Sequence, residues 1–131
     1  MNYYLAVMLD TTFDEALERT EAALKTEDFG VLTRIDIQSV LKKKINADFR
    51  PYTILGACNP KLAHEALQLE DKVGTMLPCN VVVQQKSSGE IEVAAINPVA
   101  SMQAIENPEL KKAAEAVRDK LSRVIDLLRS S

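Results

Sequence analysis

The sequence predicts an α+β fold with a single mixed β-sheet of about five strands, covered by helices and followed by a long C-terminal helix. Two observations support this class. Short apolar runs of strand length alternate with segments in which apolar residues recur every three or four positions, and the last such segment is about twenty residues long. No repeat, low-complexity stretch or flexible linker interrupts the 131 residues, so we expect one domain over residues 1–131.

Composition narrows the class of partner. A net charge of −3 gives no general attraction to nucleic acid, which selects basic surfaces. The apolar segment at the N-terminus lacks a basic start and is too short for a secretory signal, and no stretch approaches the length of a membrane span. We therefore expect a cytoplasmic protein with no nucleic-acid or membrane partner, whose two cysteines remain free thiols in a reducing compartment.

The chain begins with a strand and a helix. Residues 3–9 are aromatic, β-branched or aliphatic and predict a buried strand. Thr12 and Glu15 stand at the spacing of a capping box, which predicts the first turn of a helix. Gly30 predicts the end of that helix, because glycine adopts the left-handed backbone conformation at least cost.

A second strand and helix follow. Residues 31–37 alternate, with Arg34 and Asp36 on the polar side, which predicts a strand with one solvent-exposed face. Ser39 is predicted to cap the short helix after it. A third strand over residues 51–57 contains Gly56, which predicts a bulge or a close approach of another chain segment.

The next signals are a strong helix start and a hairpin. Asn59 as N-cap and Pro60 at the first helical position predict a third helix that runs to about residue 70. The triple valine 81–83 predicts a fourth strand, which pairs with residues 90–96 through a four-residue loop containing Gly89. The predicted order is therefore strand-helix-strand-helix-strand-helix-hairpin-helix.

The final helix is predicted to begin with Asn107 as its cap and Pro108 at its first position. Its apolar residues are alternately four and three apart, which is the pattern of a heptad seam. Two interpretations remain open. Either the seam covers the sheet, or its last turns, with Leu121, Val124 and Leu128, meet a second copy in a symmetric homodimer.

The dipeptide Cys-Asn occurs twice and contains both cysteines of the chain. Cys58 and Asn59 close the third predicted strand, while Cys79 and Asn80 open the fourth. If these two strands are antiparallel neighbours, the two dipeptides lie together at one end of the sheet. A thiol directly before a helix start is favoured as thiolate, which makes Cys58 the better candidate for a reactive or ligating cysteine.

The candidate ligand-binding residues are therefore Cys58, Asn59, Met76, Cys79 and Asn80. Each also has a structural interpretation, since free cysteines often fill the core and asparagine side chains are used in caps and loop ends. No complete zinc motif is present. A two-thiolate Cu(I) site supported by Met76 remains a chemical alternative, although no CxxC supplies it locally.

Nothing in the sequence indicates a catalytic centre. The single histidine, His64, falls on the polar side of the third predicted helix, which favours a solvated surface side chain. There is no nucleophile elbow, phosphate-binding glycine loop or dinucleotide fingerprint. We assign no catalytic residue, metal or cofactor from the sequence, which leaves enzyme activity open and favours a binding or interaction domain over an enzyme.

Two segments together resemble a known family. Residues 51–63, around Gly56-Ala57-Cys58-Asn59-Pro60, and residues 77–83, from Leu77-Pro78 through the triple valine, are similar to the signature of the domain-of-unknown-function family numbered 302. The resemblance covers nearly the whole chain. It implies a compact, dimeric α+β domain and no activity, because the family has no settled biochemical role.

Two functions follow as alternatives. The first is a binding or sensing module that takes a small ligand or a soft metal between the two Cys-Asn corners. The second is a homodimeric structural or protein-interaction domain without small-molecule chemistry. The observation that separates them is whether Cys58 and Cys79 meet at a cavity.

Overall fold

The centre of the computed structural model, which describes residues 1–130, is a five-stranded sheet. The elements in chain order are β1 Tyr4–Leu9, α1 Phe13–Lys25, β2 Gly30–Asp36, α2 Ile37–Ile45, β3 Tyr52–Cys58, α3 Pro60–Leu69, β4 Cys79–Gln85, β5 Ile91–Ile96, α4 Pro98–Ser101 and α5 Pro108–Ser130. A 3-10 helix at Asp71–Met76 lies between α3 and β4. The strands lie side by side in the order β1-β5-β4-β3-β2.

The predicted α+β class, the five strands and the long final helix are confirmed. The predicted mixed pairing is wrong, because every pair of neighbouring strands is antiparallel. After α2 and α3 the chain continues through residues 46–51 and 70–78 before the next strand begins. These return segments bring the chain back to the end of the sheet that it left, so the next strand runs in the opposite direction.

Helix starts are confirmed where a side chain caps the first turn. Thr12 Oγ1 accepts a hydrogen bond from the amide of Glu15 at 3.1 Å, and α1 begins there. Asn59 and Asn107 cap α3 and α5 in the same way, each followed by a proline. These contacts span only two or three residues, so the sequence alone determines them.

The predicted end of α1 at Gly30 is wrong. The helix ends at Lys25, and the Thr26 hydroxyl donates a hydrogen bond to the carbonyl oxygen of Ala23 at 2.6 Å. The left-handed position in the following turn is Asp28, with φ of 67°. Gly30 instead opens β2.

The predicted cap of α2 is also wrong. Asp36 caps this helix, since its carboxylate accepts a hydrogen bond from the amide of Ser39 at 3.0 Å. The strand therefore ends at Asp36, and Ile37 belongs to the helix rather than to β2.

The hydrophobic core lies on one face of the sheet, beneath α1 and α5. Along β1, β3, β4 and β5 alternate residues point into it, and these side chains include Val7, Leu9, Leu55, Val81, Val83, Ile91 and Val93. A second, smaller cluster joins α3, the 3-10 helix and the start of α5 around Val73 and Leu110. Across residues 1–130, no helix combines the length and apolar character required to cross a membrane.

The seam of α5 is part of this core. Leu121, Val124 and Leu128 are 0%, 1% and 2% exposed and pack in the cluster beneath the sheet. The interpretation in which these last turns meet a second copy is therefore wrong, because the three side chains lie in the core of their own chain. α5 covers its own sheet, and these three residues are inaccessible to a second copy.

The opposite face of the sheet, here called the bare face, has a different composition. Cross-strand partners form a row that runs over all five strands and consists of Ala6, Ala94, Val82, Ile54 and Ile35. Each is partly or fully exposed, and none belongs to either buried cluster of the described chain. The short helix α2 packs against β2 and β3 without burying any of its own residues.

Candidate functional site

The two Cys-Asn dipeptides lie at the same end of the sheet. β3 and β4 are antiparallel neighbours, and Ala57 is the cross-strand partner of Cys79. Cys58 is the next residue along β3. The condition under which the two dipeptides lie together, that these strands are antiparallel neighbours, is met, and the end of β3 lies beside the start of β4.

A small cavity lies at this corner, between α3, α5 and residues 77–79. Its volume is about 40 Å³. Three sulfur-bearing residues line it, namely Cys58, Cys79 and Met102, and we call it the sulfur cavity. Most of its other walls are aliphatic, with Ala63, Ala66, Leu110 and Val117 among them.

Gly56 is required by the close packing of this corner. A Cβ at this position would overlap the hydroxyl oxygen of Thr33 and lie 2.8 Å from Cγ of Pro78. The register of β2 also shifts between Val31 and Thr33, opposite Gly56. The predicted close approach at Gly56 is therefore present and seats the loop before β4 against β3, whereas the register shift lies in β2 rather than in β3.

Asn59 lines the sulfur cavity, but its side chain is fully used within the chain. Its Oδ1 accepts a hydrogen bond from the amide of Leu62 at 3.2 Å, and its Nδ2 donates to the carbonyl oxygen of Glu27 at 3.3 Å. The side chain is buried. It fixes the start of α3 and the turn before β2, and with them the position of Cys58.

Two of the predicted site residues lie elsewhere. Met76 packs in the second cluster with Val73, outside the sulfur cavity. Asn80 alternates with Cys79 along β4 and points to the bare face, where it lines a shallow open depression of about 380 Å³. The five predicted residues thus divide among three places, and only Cys58, Asn59 and Cys79 meet.

Met102 was missed by sequence analysis. It follows the short helix α4 and its side chain is buried among α3 and α5 residues. No spacing pattern connects position 102 with positions 58 and 79. Only the folded return of the chain after β5 places this thioether at the cavity.

The two thiols differ in environment. Cys79 is buried, whereas Cys58 is partly exposed. Burial, and to a lesser extent the neighbouring charge of Cys58, raises the pKa of Cys79 to about 11. At neutral pH the Cys79 thiol is therefore protonated unless a cation replaces its proton.

The bare face carries a polar network along one margin. Arg50 Nε donates to Gln84 Oε1 at 2.9 Å, and Gln84 Nε2 donates to Glu92 Oε1 at 3.1 Å. Lys86 Nζ lies 3.6 Å from the same carboxylate oxygen. The guanidinium of Arg50 also stacks on the Phe49 ring, 4.4 Å from its centroid.

Neither site has a histidine among its lining residues. His64 is exposed on α3. Within residues 1–130 there is no group of three or more histidine, cysteine, aspartate or glutamate side chains placed to hold a metal ion. Every buried side-chain nitrogen and oxygen of the described chain has a hydrogen-bond partner, so no buried polar atom marks a further site.

Comparison with known proteins gives one family and no activity. The model of the family described as "Domain of unknown function DUF302" matches residues 5–128. A crystal structure of an uncharacterized conserved DUF302 protein from Bacillus stearothermophilus is similar, with 33% sequence identity, a TM-score of 0.90, and coverage of 97% of this chain and 98% of that one. No curated protein matches the chain.

Proposed function

We propose, from the premise that this chain belongs to the DUF302 family, that it is a homodimeric protein-interaction domain whose partner is a second copy of itself. The observation that carries this proposal is the apolar row across the bare face. A sheet in an α+β domain buries its apolar faces against other layers, and no residue of this row belongs to either buried cluster within residues 1–130.

The composition of the row indicates that it is covered by a partner rather than exposed to solvent. An antiparallel sheet with one wet face normally alternates apolar and polar residues. Here Val82 and Ile54 are flanked in the same strands by the core residues Val81, Val83 and Leu55, so both faces are apolar at the centre of the sheet. Ile35 remains 42% exposed at the far edge.

The size of the face fits a dimer interface. Five strands about 4.8 Å apart, with six residues each rising about 3.3 Å, cover about 24 Å by 20 Å. Two such faces give about 1,000 Å² in flat projection, and the relief of the side chains adds to the accessible area. Specific interfaces begin at about that total.

A homodimer with two-fold symmetry fits the distribution of apolar and charged residues on the bare face. Small side chains at Ala6 and Ala94 allow two sheets to approach to the usual separation of about 10 Å. The charged network of Arg50, Lys86 and Glu92 lies at one margin, where an interface is normally polar. The same surface on each copy then places apolar residues on apolar residues and leaves the charges at the rim.

The test is the variant Ala94→Asp, studied by sedimentation equilibrium. The wild type should sediment at twice 14.5 kDa at micromolar concentration. A buried unpaired carboxylate on each copy should weaken self-association about 100-fold or more, so the variant should sediment as a monomer. Ala22→Asp is the matched control, because Ala22 is exposed on α1 on the other side of the sheet. A monomeric wild type would refute the dimer, and equal association of both variants would refute the bare face as its interface.

A second candidate function is ligand binding at the sulfur cavity. The specific observation in its favour is that Cys58, Asn59 and Cys79, from two separated segments, line one cavity. We place the domain in the cytoplasm, where reducing conditions keep both cysteines available as thiols. Neither candidate function assigns a catalytic residue.

A further inference from the structure

We infer that the sulfur cavity binds Cu(I), with the thiolates of Cys58 and Cys79 as ligands and the thioether of Met102 as a third donor. This inference rests on the second candidate function, ligand binding at the sulfur cavity, and names its ligand. It is independent of the dimer, since Cys79 points to the core side of the sheet and not to the bare face.

The donor set selects a soft monovalent ion. Thiolates and thioethers are soft ligands that favour Cu(I), while Mg²⁺ and Ca²⁺ require oxygen donors. Zn²⁺ in a structural site requires four ligands, usually from cysteine and histidine. The sulfur cavity supplies two cysteines and one methionine, and the polar atoms of Asn59 are already engaged.

The size of the cavity also selects an ion over an organic molecule. Sites for small organic ligands usually enclose about 300–1,000 Å³. The sulfur cavity encloses about 40 Å³, which is space for one ion or very few light atoms. Its aliphatic walls, such as Ala66 and Leu110, carry no side-chain oxygen or nitrogen that would compete with the sulfur donors.

Binding is a ligand exchange without oxidation or reduction. Two S–H bonds and the bonds between Cu(I) and its donor complex break, two Cu–thiolate bonds and one Cu–thioether bond form, and two protons are released to solvent for each Cu(I) bound. The protein must receive the ion in the cuprous state from a cuprous complex. The resulting dithiolate carries one net negative charge.

Two features of the corner stabilise that charge. Cys58 directly precedes Asn59, the N-cap of α3, so the amide dipoles of the first turn of this helix point toward the site. The cation itself replaces the proton that burial keeps on Cys79. Affinity for Cu(I) should therefore rise with pH, because the two released protons compete with the metal.

The experiment transfers Cu(I) anaerobically from its coloured bicinchoninate complex to the intact protein. The loss of the complex's colour measures the transfer. The wild type should bind one Cu(I) per chain and release about two protons. Cys58→Ser and Cys79→Ser should each weaken binding by at least about 100-fold, and Met102→Leu by about tenfold. Met76→Leu is the matched control and should bind as the wild type, because Met76 lies outside the cavity.

The outcomes distinguish failure of the Cu(I) site from failure of ligand binding at the sulfur cavity. Binding that is unchanged in Cys79→Ser, or equal binding of Zn²⁺, would overturn the Cu(I) site. Native mass spectrometry of protein purified without chelator distinguishes the remaining cases. A bound organic mass would overturn Cu(I) but keep ligand binding at the cavity, whereas no bound mass and no Cu(I) uptake would overturn both. Circular dichroism of each variant shows that it is folded, and Cu(I)-thiolate absorption in the ultraviolet reports the metal bond directly in the wild type.

Discussion

At the residue scale, the buried thiol of Cys79 makes stability depend on alkaline pH. The pKa of this thiol rises from 9.0 to about 11 on folding, so the native state holds the proton over a range in which the unfolded state has lost it. Stability is therefore fully present below pH 9 and is lost as pH rises toward 11. The loss should be about 2–3 kcal/mol of unfolding free energy.

The measurement is urea unfolding of wild type and Cys79→Ala at several pH values from neutral to pH 11. Other groups titrate in both proteins, so the difference between the two slopes isolates Cys79. The wild type should lose more stability than the variant over this range. Parallel curves would show that the Cys79 thiol titrates equally in the folded and unfolded chains.

Gly56 provides a second test at this scale. Gly56→Ala should destabilise the fold by about 1–3 kcal/mol, because the new Cβ would meet Thr33 on one side and Pro78 on the other. Gly30→Ala is the control, since a Cβ there meets no atom within 4 Å. Chemical denaturation of both variants measures the difference. Equal midpoints would mean that the loop before β4 yields to the added methyl group.

Single residues were predictable where their chemistry is local. The sequence predicts Asn59 as a cap because Pro60 follows it directly. It predicts Gly56 as a close-approach position because this glycine stands inside a strand. The positions of Met76 and Met102 were not predictable in this way. Which of the two methionines lines the sulfur cavity depends on how the chain returns after β5, and no local pattern encodes that path.

At the scale of elements, α5 is a core helix. Leu121→Asp should unfold the domain rather than dissociate a dimer, because this side chain is fully buried against the sheet. An unpaired buried carboxylate at a former leucine should cost more than about 3 kcal/mol. Leu127→Asp on the same helix is the control, since Leu127 is 44% exposed.

Thermal unfolding followed by circular dichroism, together with sedimentation, checks this expectation. The Leu121 variant should lose its cooperative transition, and the Leu127 variant should keep both the transition and the oligomeric state. A folded, monomeric Leu121→Asp variant would instead show that the α5 seam forms the dimer interface.

The α5 seam shows why the element was predicted while its partner was not. Apolar residues four and three apart define one stripe along the helix, and Leu121 and Leu128 lie on it. The same stripe results whether it faces a helix of another chain or β1 and α1 of its own. Periodicity fixes the face of a helix but carries no information about what covers it.

At the scale of the whole molecule, strand number and class followed from the sequence but strand direction did not. Direction depends on whether each connection ends at the sheet end where it began. The return segments 46–51 and 70–78 have no strong local signature, so parallel and antiparallel arrangements of β2, β3 and β4 were indistinguishable. The bare face was missed because the row of Ala6, Ala94 and Val82 requires the pairing of β1 with β5, two segments that lie far apart in the sequence.

The strand order also has a consequence for synthesis on the ribosome. β1 is made first but pairs only with β5, while α1 packs against β4 and β5. Until residue 96 has emerged, the apolar side chains of the N-terminal strand have no sheet to join. The nascent chain must therefore hold its first segment unpaired while β3, β4 and β5 assemble. A stalled or truncated translation product that stops before β5 would expose this segment and be a substrate for chaperones or proteases.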